Sequence, residues 1–326
     1  MSTPAAPRTD ARVVALGGGH GLAASLAALR RVVTELTAVV TVADNGGSSG
    51  RLRREFGVLP PGDLRQALSA LCGDDDWGRT WARVLQHRFS SSGEMDNHAV
   101  GNLLIVTLWE LLGDHVDGLD WVARLLGAQG RVLPMAVTPL DITASVLGAD
   151  PSRPGAVTTV RGQVEVASTS GQVTAVHLDP EDPPACPEAL AAVGAADWVV
   201  LGPGSWFTSV IPHLLVPELR EALVRSTARK VVTLNLEPQA GETDGFAPET
   251  HLEVLAEHAP DLRLDVVLAD RSSVVDESQL QEVARSLGAE LVVADVAAGD
   301  GSPRHDPVKL AAAYAGFLAT ASTGIR

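Results

Sequence analysis

Four times along this chain an unbroken apolar run gives way to a loop of glycine and small polar residues. RVVAL (12–16) leads into GGGHG, LTAVVTVA (36–43) into DNGGSSG, DWVVLGPG (197–204) into SWFTS, and RKVVTLNLE (229–237) into PQAGETDG. Runs this continuous, without period-two alternation, belong to strands buried on both faces, as in a parallel sheet covered by helices. The run LAASLAALRRVV (22–33) between the first two strands has helical spacing, so the chain opens as a βαβ unit. LDVVLAD (264–270) and AELVVADV (289–296) continue the rhythm. The expected fold class is α/β, with a doubly wound, mostly parallel sheet drawing strands from both halves of the chain. Parallel strands share a carboxyl edge, so the four loops should converge on one crevice.

Two stretches interrupt the rhythm. From about 62 to 127 apolar residues recur at three- and four-residue spacing, in DLRQALSALC, DWGRTWARVLQHRF, AVGNLLIVTLWELLG and LDWVARLLG, which predicts an inserted helical block. From about 131 to 178 the segments RVLPMAV, ITASVLG, AVTTVRGQVEVAST and QVTAVHL are short and rich in Val and Thr. They read as antiparallel strands of a small β-rich insertion. PEDPPACP (180–187) reads as a loop before a helix. A single α/β unit over 11–326 is expected, behind a polar, disordered tail over 1–10.

Composition narrows the function. The chain has 326 residues, is 45% hydrophobic and carries a net charge of −15, and only Lys230 and Lys309 of its 25 basic residues are lysines. Nucleic acid is not an expected partner, although a local arginine cluster at a phosphate is compatible with such a balance. Two cysteines, Cys72 and Cys186, are too few for a four-cysteine zinc site or a disulfide scaffold. The opening MSTPAAPRTDAR has no apolar signal core and no run approaches about 18 apolar residues, so no membrane association and a cytoplasmic location are expected.

The loops suggest what lies in the crevice. GGGHGL sits between a strand and a helix, so its N–H groups and the helix N-terminus suit a phosphate or diphosphate, with Gly17, Gly19 and Gly21 allowing close approach. The dinucleotide fingerprint is only partly matched, because Leu22 stands at its third glycine, and a tight turn packing helix on strand is the alternative. Asp44 ends the second strand, where a nicotinamide enzyme would place a ribose-binding acid or where a divalent ion could sit near phosphates. Beyond it, Gly46, Gly47, Ser48 and Ser49 offer donors, and Arg51, Arg53 and Arg54 offer charge. The alternative there is a solvated helix start, with Ser49 capping and Glu55 pairing with an arginine.

The later loops carry Gly202, Gly204, Ser205, Thr208 and Ser209, then Asn235, Gln239, Glu242, Thr243 and Asp244. His98 and Asn102 begin one helix, where capping or exposure would also account for the histidine, and Arg304, His305 and Asp306 begin the last. Trp206 and Phe207 are candidates for a base or sugar contact, whereas Trp77, Trp81, Trp109 and Trp121 read as core or interface residues. No nucleophile motif is present, since GPGSW is not G-x-S-x-G.

In order and spacing, VALGGGHGL, VTVADNGGSSGRLRREFGVLPPGDLRQAL, HAVGNLLI, VVLGPGSWFTSVIPHLL and NLEPQAGETDGF resemble the YvcK family of bacterial proteins, from about residue 12 to 322. These proteins are also called gluconeogenesis factors and are related to the CofD phospholactate transferases. The resemblance implies a Rossmann-like fold binding UDP-N-acetylglucosamine or a related UDP-sugar. It also implies a role in cell shape and peptidoglycan precursor supply during gluconeogenic growth, through control of amino-sugar synthesis. An enzyme of that route is then an expected protein partner, and a homodimer an expected assembly. Carried over by motif, Gly18, Gly19, His20, Gly21 and Asp44 would contact the ligand, with Gly204, Ser205, Thr208 and Arg304 from the later loops and His98, Asn102 and Gln239 as weaker members.

Three positions depart from the family pattern. His20 replaces a threonine, Asn45 replaces the second acid of an Asp-Asp-Gly-Gly run, and Pro307 stands where relatives can carry a phosphorylatable threonine. Losing the second acid lowers the charge available to a metal and favours binding over catalysis. The leading expectation is a non-enzymatic sensor with no required cofactor. A CofD-like transferase using Mg²⁺ near Asp44 is the alternative, and a dehydrogenase a distant third.

Overall fold

The computed structural model describes residues 8–150, 152–153 and 155–318. β1 (Thr9–Gly17), α1 (Gly19–Leu29) and β2 (Val33–Val40) open the chain, followed by α2 (Gly47–Phe56), α3 (Gly62–Ala70), α4 (Asp76–Gln86), α5 (Val100–Leu112) and α6 (His115–Leu126). After β3 (Arg131–Pro134) come β4 (Asp141–Leu147), β5 (Val157–Arg161), the short α7 (Gln163–Ala167) and β6 (Gln172–Asp179). The second half runs α8 (Pro187–Ala195), β7 (Trp198–Leu201), a π-helical turn over Trp206–Val210, α9 (Pro212–Leu215) and α10 (Pro217–Arg225). It ends with β8 (Arg229–Thr233), α11 (Pro248–His258), β9 (Val266–Asp270), α12 (Glu277–Ser286), β10 (Glu290–Ala294) and α13 (Pro307–Leu318).

Seven strands form one parallel sheet in the order β10-β9-β8-β7-β1-β2-β3. The first half of the chain extends the sheet to one side of β1 and the second half to the other, so the winding reverses between β1 and β7. A crevice opens outside the strand ends at such a reversal. Every residue of β7 and β9 is buried, which explains why their sequences carry no alternation. Strands β4, β5 and β6 make a separate antiparallel sheet in the order β5-β4-β6, and there the burial of β4 does alternate.

Helix boundaries follow local chemistry. Asp75, Asp114 and Asp276 cap α4, α6 and α12 by accepting from Gly78, Asp117 and Gln279 N–H groups, each contributing about 1 kcal/mol. The last helix is tied into the core through Tyr314. Ser25 donates to the Gly202 carbonyl, so Tyr314 must donate to Ser25 (2.6 Å) and Thr233 to Tyr314 (3.0 Å). This buried chain of hydroxyls joins α1, α13 and β8 beneath the crevice.

Some expectations are corrected. RVLP is not part of the small antiparallel sheet: as β3 it pairs parallel with β2 at the edge of the main sheet, with Val132, Leu133 and Pro134 buried. VEVA is not a strand, because Gly162 at φ +108° ends β5 and the next residues close a helical turn. Thr9 and Asp10 belong to β1, so the expected tail is shorter than 1–10, and residues 1–7 lie outside the described residues. Trp109 is buried, while Trp77 and Trp121 are more than half exposed on α4 and α6. Cys72 and Cys186 are free and buried, and burial pushes both thiols up to about 11, which leaves them unreactive. No helix among the described residues is long and apolar enough to cross a membrane.

Candidate functional site

A cavity of about 880 Å³ lies at the strand ends where β1 and β7 diverge. Gly18, Gly19, His20 and Gly21 line it from the start of α1, and Asp44 from the loop after β2. Gly204, Ser205 and Ser209 follow β7, Asn235 and Gln239 follow β8, and Arg304 and His305 precede α13. The four decorated loops therefore do meet, and the β1 and β7 loops touch so closely that a Cβ on Gly21 would stand 2.3 Å from the Pro203 carbonyl.

The phosphate-cradle geometry is present but contested. α1 has no side-chain cap and no acid in its own first turn, which leaves its N–H groups and dipole facing the cavity. The Asp63 carboxyl enters from the first turn of α3 and lies beside these groups, where the Gly19 backbone favours its charged form. Burial, reinforced by the charge of Asp44, pushes Asp63 up to about 7. Its Oδ2 is buried without a hydrogen-bond partner. A dianion arriving at α1 would thus meet a carboxyl that is half protonated at neutral pH.

The other loops are internally braced. Asp44 Oδ1 accepts from Gly46 N–H at 2.8 Å, which bends the chain into α2. Asn235 clamps the Gly204 backbone, accepting from its N–H at 2.9 Å and donating to its carbonyl at 2.8 Å. Ser205 donates to the buried Glu242, whose carboxyl is shifted upward by burial, and Ser205 also bonds Thr208. Gln239 keeps a buried, unpartnered Oε1, and Arg304 is exposed, held by Asp300 at 3.4 Å. Burial pushes His305 down to about 4, so it lines the cavity as a neutral imidazole.

Other expected site residues sit behind the cavity wall. Ser48, His98 and Asn102 form a buried cluster joining α2 to α5, with Ser48 Oγ accepting from Ala99 N–H and Asn102 Nδ2. Its own proton therefore goes to His98 Nδ1 at 3.1 Å, which leaves the His98 proton on Nε2. Gly46 and Gly47 begin α2, Gly17 ends β1, and Gly202 receives the Ser25 hydroxyl, none of them lining the cavity. Thr208 is buried against Glu242. Trp206 and Phe207 are corrected outright: both are buried, packing on His251 and Phe246 respectively, and neither can stack on a ligand.

Four polar cavity residues, Asp63, Gln66, Gln163 and Glu237, were not singled out from the sequence. Asp63 and Gln66 lie in a helical pattern that gave no sign of facing the crevice, although an acid just after PPG is a recognisable first-turn residue. Gln163 lay hidden in a segment read as strand. For a cation, Asp44 and Asp63 would be the oxygen donors, but among the described residues no group of three or more His, Cys, Asp or Glu is placed to hold a metal.

Comparison with known proteins places this geometry in context. The model of the family described as 2-phospho-L-lactate transferase CofD matches residues 13–305. A Mycobacterium tuberculosis protein provisionally named a gluconeogenesis factor is 53% identical over 310 residues, covering 94% of this chain and 90% of its own. The gluconeogenesis factor of Listeria monocytogenes is 35% identical over 321 residues, covering 95% and 96%. A crystal structure of a UPF0052 family member from Bacillus halodurans superposes with a TM-score of 0.83 at 33% identity, covering 94% of this chain and 99% of the other.

Proposed function

Since the chain belongs to the CofD family and, within it, to the YvcK group of gluconeogenesis factors, we propose that it is a UDP-sugar-binding regulatory protein acting in gluconeogenic growth. The ligand is UDP-N-acetylglucosamine, and its level reports on cell-wall precursor supply and cell shape. The protein is cytoplasmic and passes the signal to an enzyme of amino-sugar synthesis.

The observation that carries this reading is the lining of the cavity. One side offers the N–H groups of α1 to a diphosphate, and the other offers uncharged or acceptor groups, including Ser205, Gln239 and Asp44, that complement hydroxyls. Arg304, bound only to exposed partners of its own loop, is free to turn toward phosphate.

A second reading rests on Asp63 and Asp44. Two neighbouring carboxyls at a phosphate cradle, one with an unpartnered buried oxygen, suit a Mg²⁺ ion in a CofD-like transfer. The ion would neutralise phosphate charge there, and the two aspartates would hold it. Against this, Asn45 supplies no third carboxylate, since its amide turns to Glu165.

Isothermal titration with UDP-N-acetylglucosamine, UDP-glucose, GDP and NAD⁺, with and without Mg²⁺, separates the two. Selective, metal-independent binding of the UDP-sugar without consumption is expected, whereas Mg²⁺-dependent turnover would replace the sensor with the transferase. Asp44→Ala should lose at least about tenfold in affinity while keeping its circular dichroism spectrum and melting temperature.

A further inference from the structure

The helical turn α7 reaches from the small antiparallel sheet to the cavity and is gripped on two sides. Asn45, in the loop after β2, accepts from Val164 N–H at 3.2 Å and donates to Glu165 Oε2 at 2.8 Å. Val164 packs so tightly on this loop that a Cβ on Gly46 would lie 2.7 Å from its Cγ2. On the other side, a Cβ on Gly241, in the loop after β8, would lie 2.4 Å from the Ala167 carbonyl oxygen. Val166 anchors the turn in the core. The result is that Gln163, the first residue of α7, becomes part of the cavity wall together with Asp44.

On the reading that the ligand is a nucleotide sugar, we propose that Gln163 is a specificity-determining residue that hydrogen-bonds the sugar, and that Asn45 is the positioning residue that holds it there. A carboxamide carries two donors and an acceptor but no charge, so it complements hydroxyl or acetamido groups and adds little at a diphosphate. Asp44, an acceptor from the same loop that carries Asn45, completes a polar pair suited to a polyhydroxylated ring. The bidentate use of Asn45 is chemically exacting. An acid at position 45 would still accept from Val164 N–H but would face the Glu165 carboxylate without a proton to share.

The test is isothermal titration of the full chain with UDP-N-acetylglucosamine, UDP-glucose and UDP. Gln163→Ala is expected to weaken the two UDP-sugars about tenfold and leave UDP within about twofold. Asn45→Asp is expected to show the same ligand-selective loss without a change in melting temperature of more than a few degrees. Asn45→Asp/Glu165→Gln should restore selectivity, because the carboxamide introduced at position 165 can donate to the acid, a rescue that a merely structural role would not produce. Equal losses for UDP and its sugars, or unchanged sugar affinity in Gln163→Ala, would overturn the assignment while leaving the nucleotide-sugar reading intact. If the unmodified protein bound neither UDP nor its sugars, both would fall.

Discussion

At the scale of single residues, Asp63 is the group whose chemistry departs furthest from its solution behaviour inside the cavity. It is held up to about 7 by burial and by Asp44, against about 3.9 for an unfolded aspartate. A carboxyl raised on folding binds its proton more tightly in the folded chain. Its contribution to stability is therefore complete below about pH 4 and lost as pH rises through about 7. Asp63→Asn, which cannot ionise, is expected to be more stable than the parent at pH 8 by on the order of 2 kcal/mol, with most of that advantage gone near pH 4. Parallel melting curves at the two pH values check this, and an equal gap at both would mean that the carboxyl is not perturbed. Nothing in PGDLRQAL announced this residue. Its helical spacing is visible in sequence, but the proximity of α3 to the first glycine loop arises from its packing beside α1 over β2 and β3.

At the scale of elements, the small sheet buries Ile142, Ala144 and Val146 in the common core, and a polar contact ties its first strand to α2. Asp141, at the start of β4, forms an ion pair with Arg53 of α2 at 2.7 Å and accepts a hydrogen bond from Arg161 of β5 at 2.7 Å. The Arg53–Asp141 pair is largely buried, so Asp141→Ala leaves a guanidinium without its partner and is expected to cost about 1–3 kcal/mol. Hydrogen exchange should accelerate in β4, β5 and β6 while β1 and β7 stay protected, and uniform acceleration would show that the two sheets open together. The same region misled the sequence reading. RVLP and VEVA are both short and apolar, and period alone cannot distinguish a four-residue parallel strand or a single helical turn from an antiparallel strand. The turn at Gly162, set by a backbone conformation, decided the second case.

At the scale of the whole molecule, the cavity is assembled from loops that lie as far apart in sequence as Gly18 and His305. A ligand that bridges them stabilises the assembly of both halves at once. UDP-N-acetylglucosamine at about 100 times its dissociation constant should raise the unfolding free energy by about 2.7 kcal/mol. Scanning calorimetry is expected to show this as an upward shift of the main transition, with NAD⁺ giving none. A shift confined to one of two separated transitions would mean that only half the chain forms the site.

The sequence by itself determined the α/β class, the parallel sheet drawn from both halves and the convergence of four loops, because continuous burial and strand-end glycines are local properties repeated along the chain. It also carried the family resemblance, which lies in contiguous motifs such as NGGSSGRLRRE and GPGSWFTSVIP. Only the tertiary structure decided which members of those motifs face the cavity. Ser48 and Trp206 sit in the same loops as Asp44 and Ser205 yet point into the protein, while Asp63 and Gln163 arrive from elements with no such motif. The reason is physical. A loop's composition reflects the turn it must make, but the direction of each side chain is fixed by what packs behind it, and here those partners lie tens to hundreds of residues away in the chain.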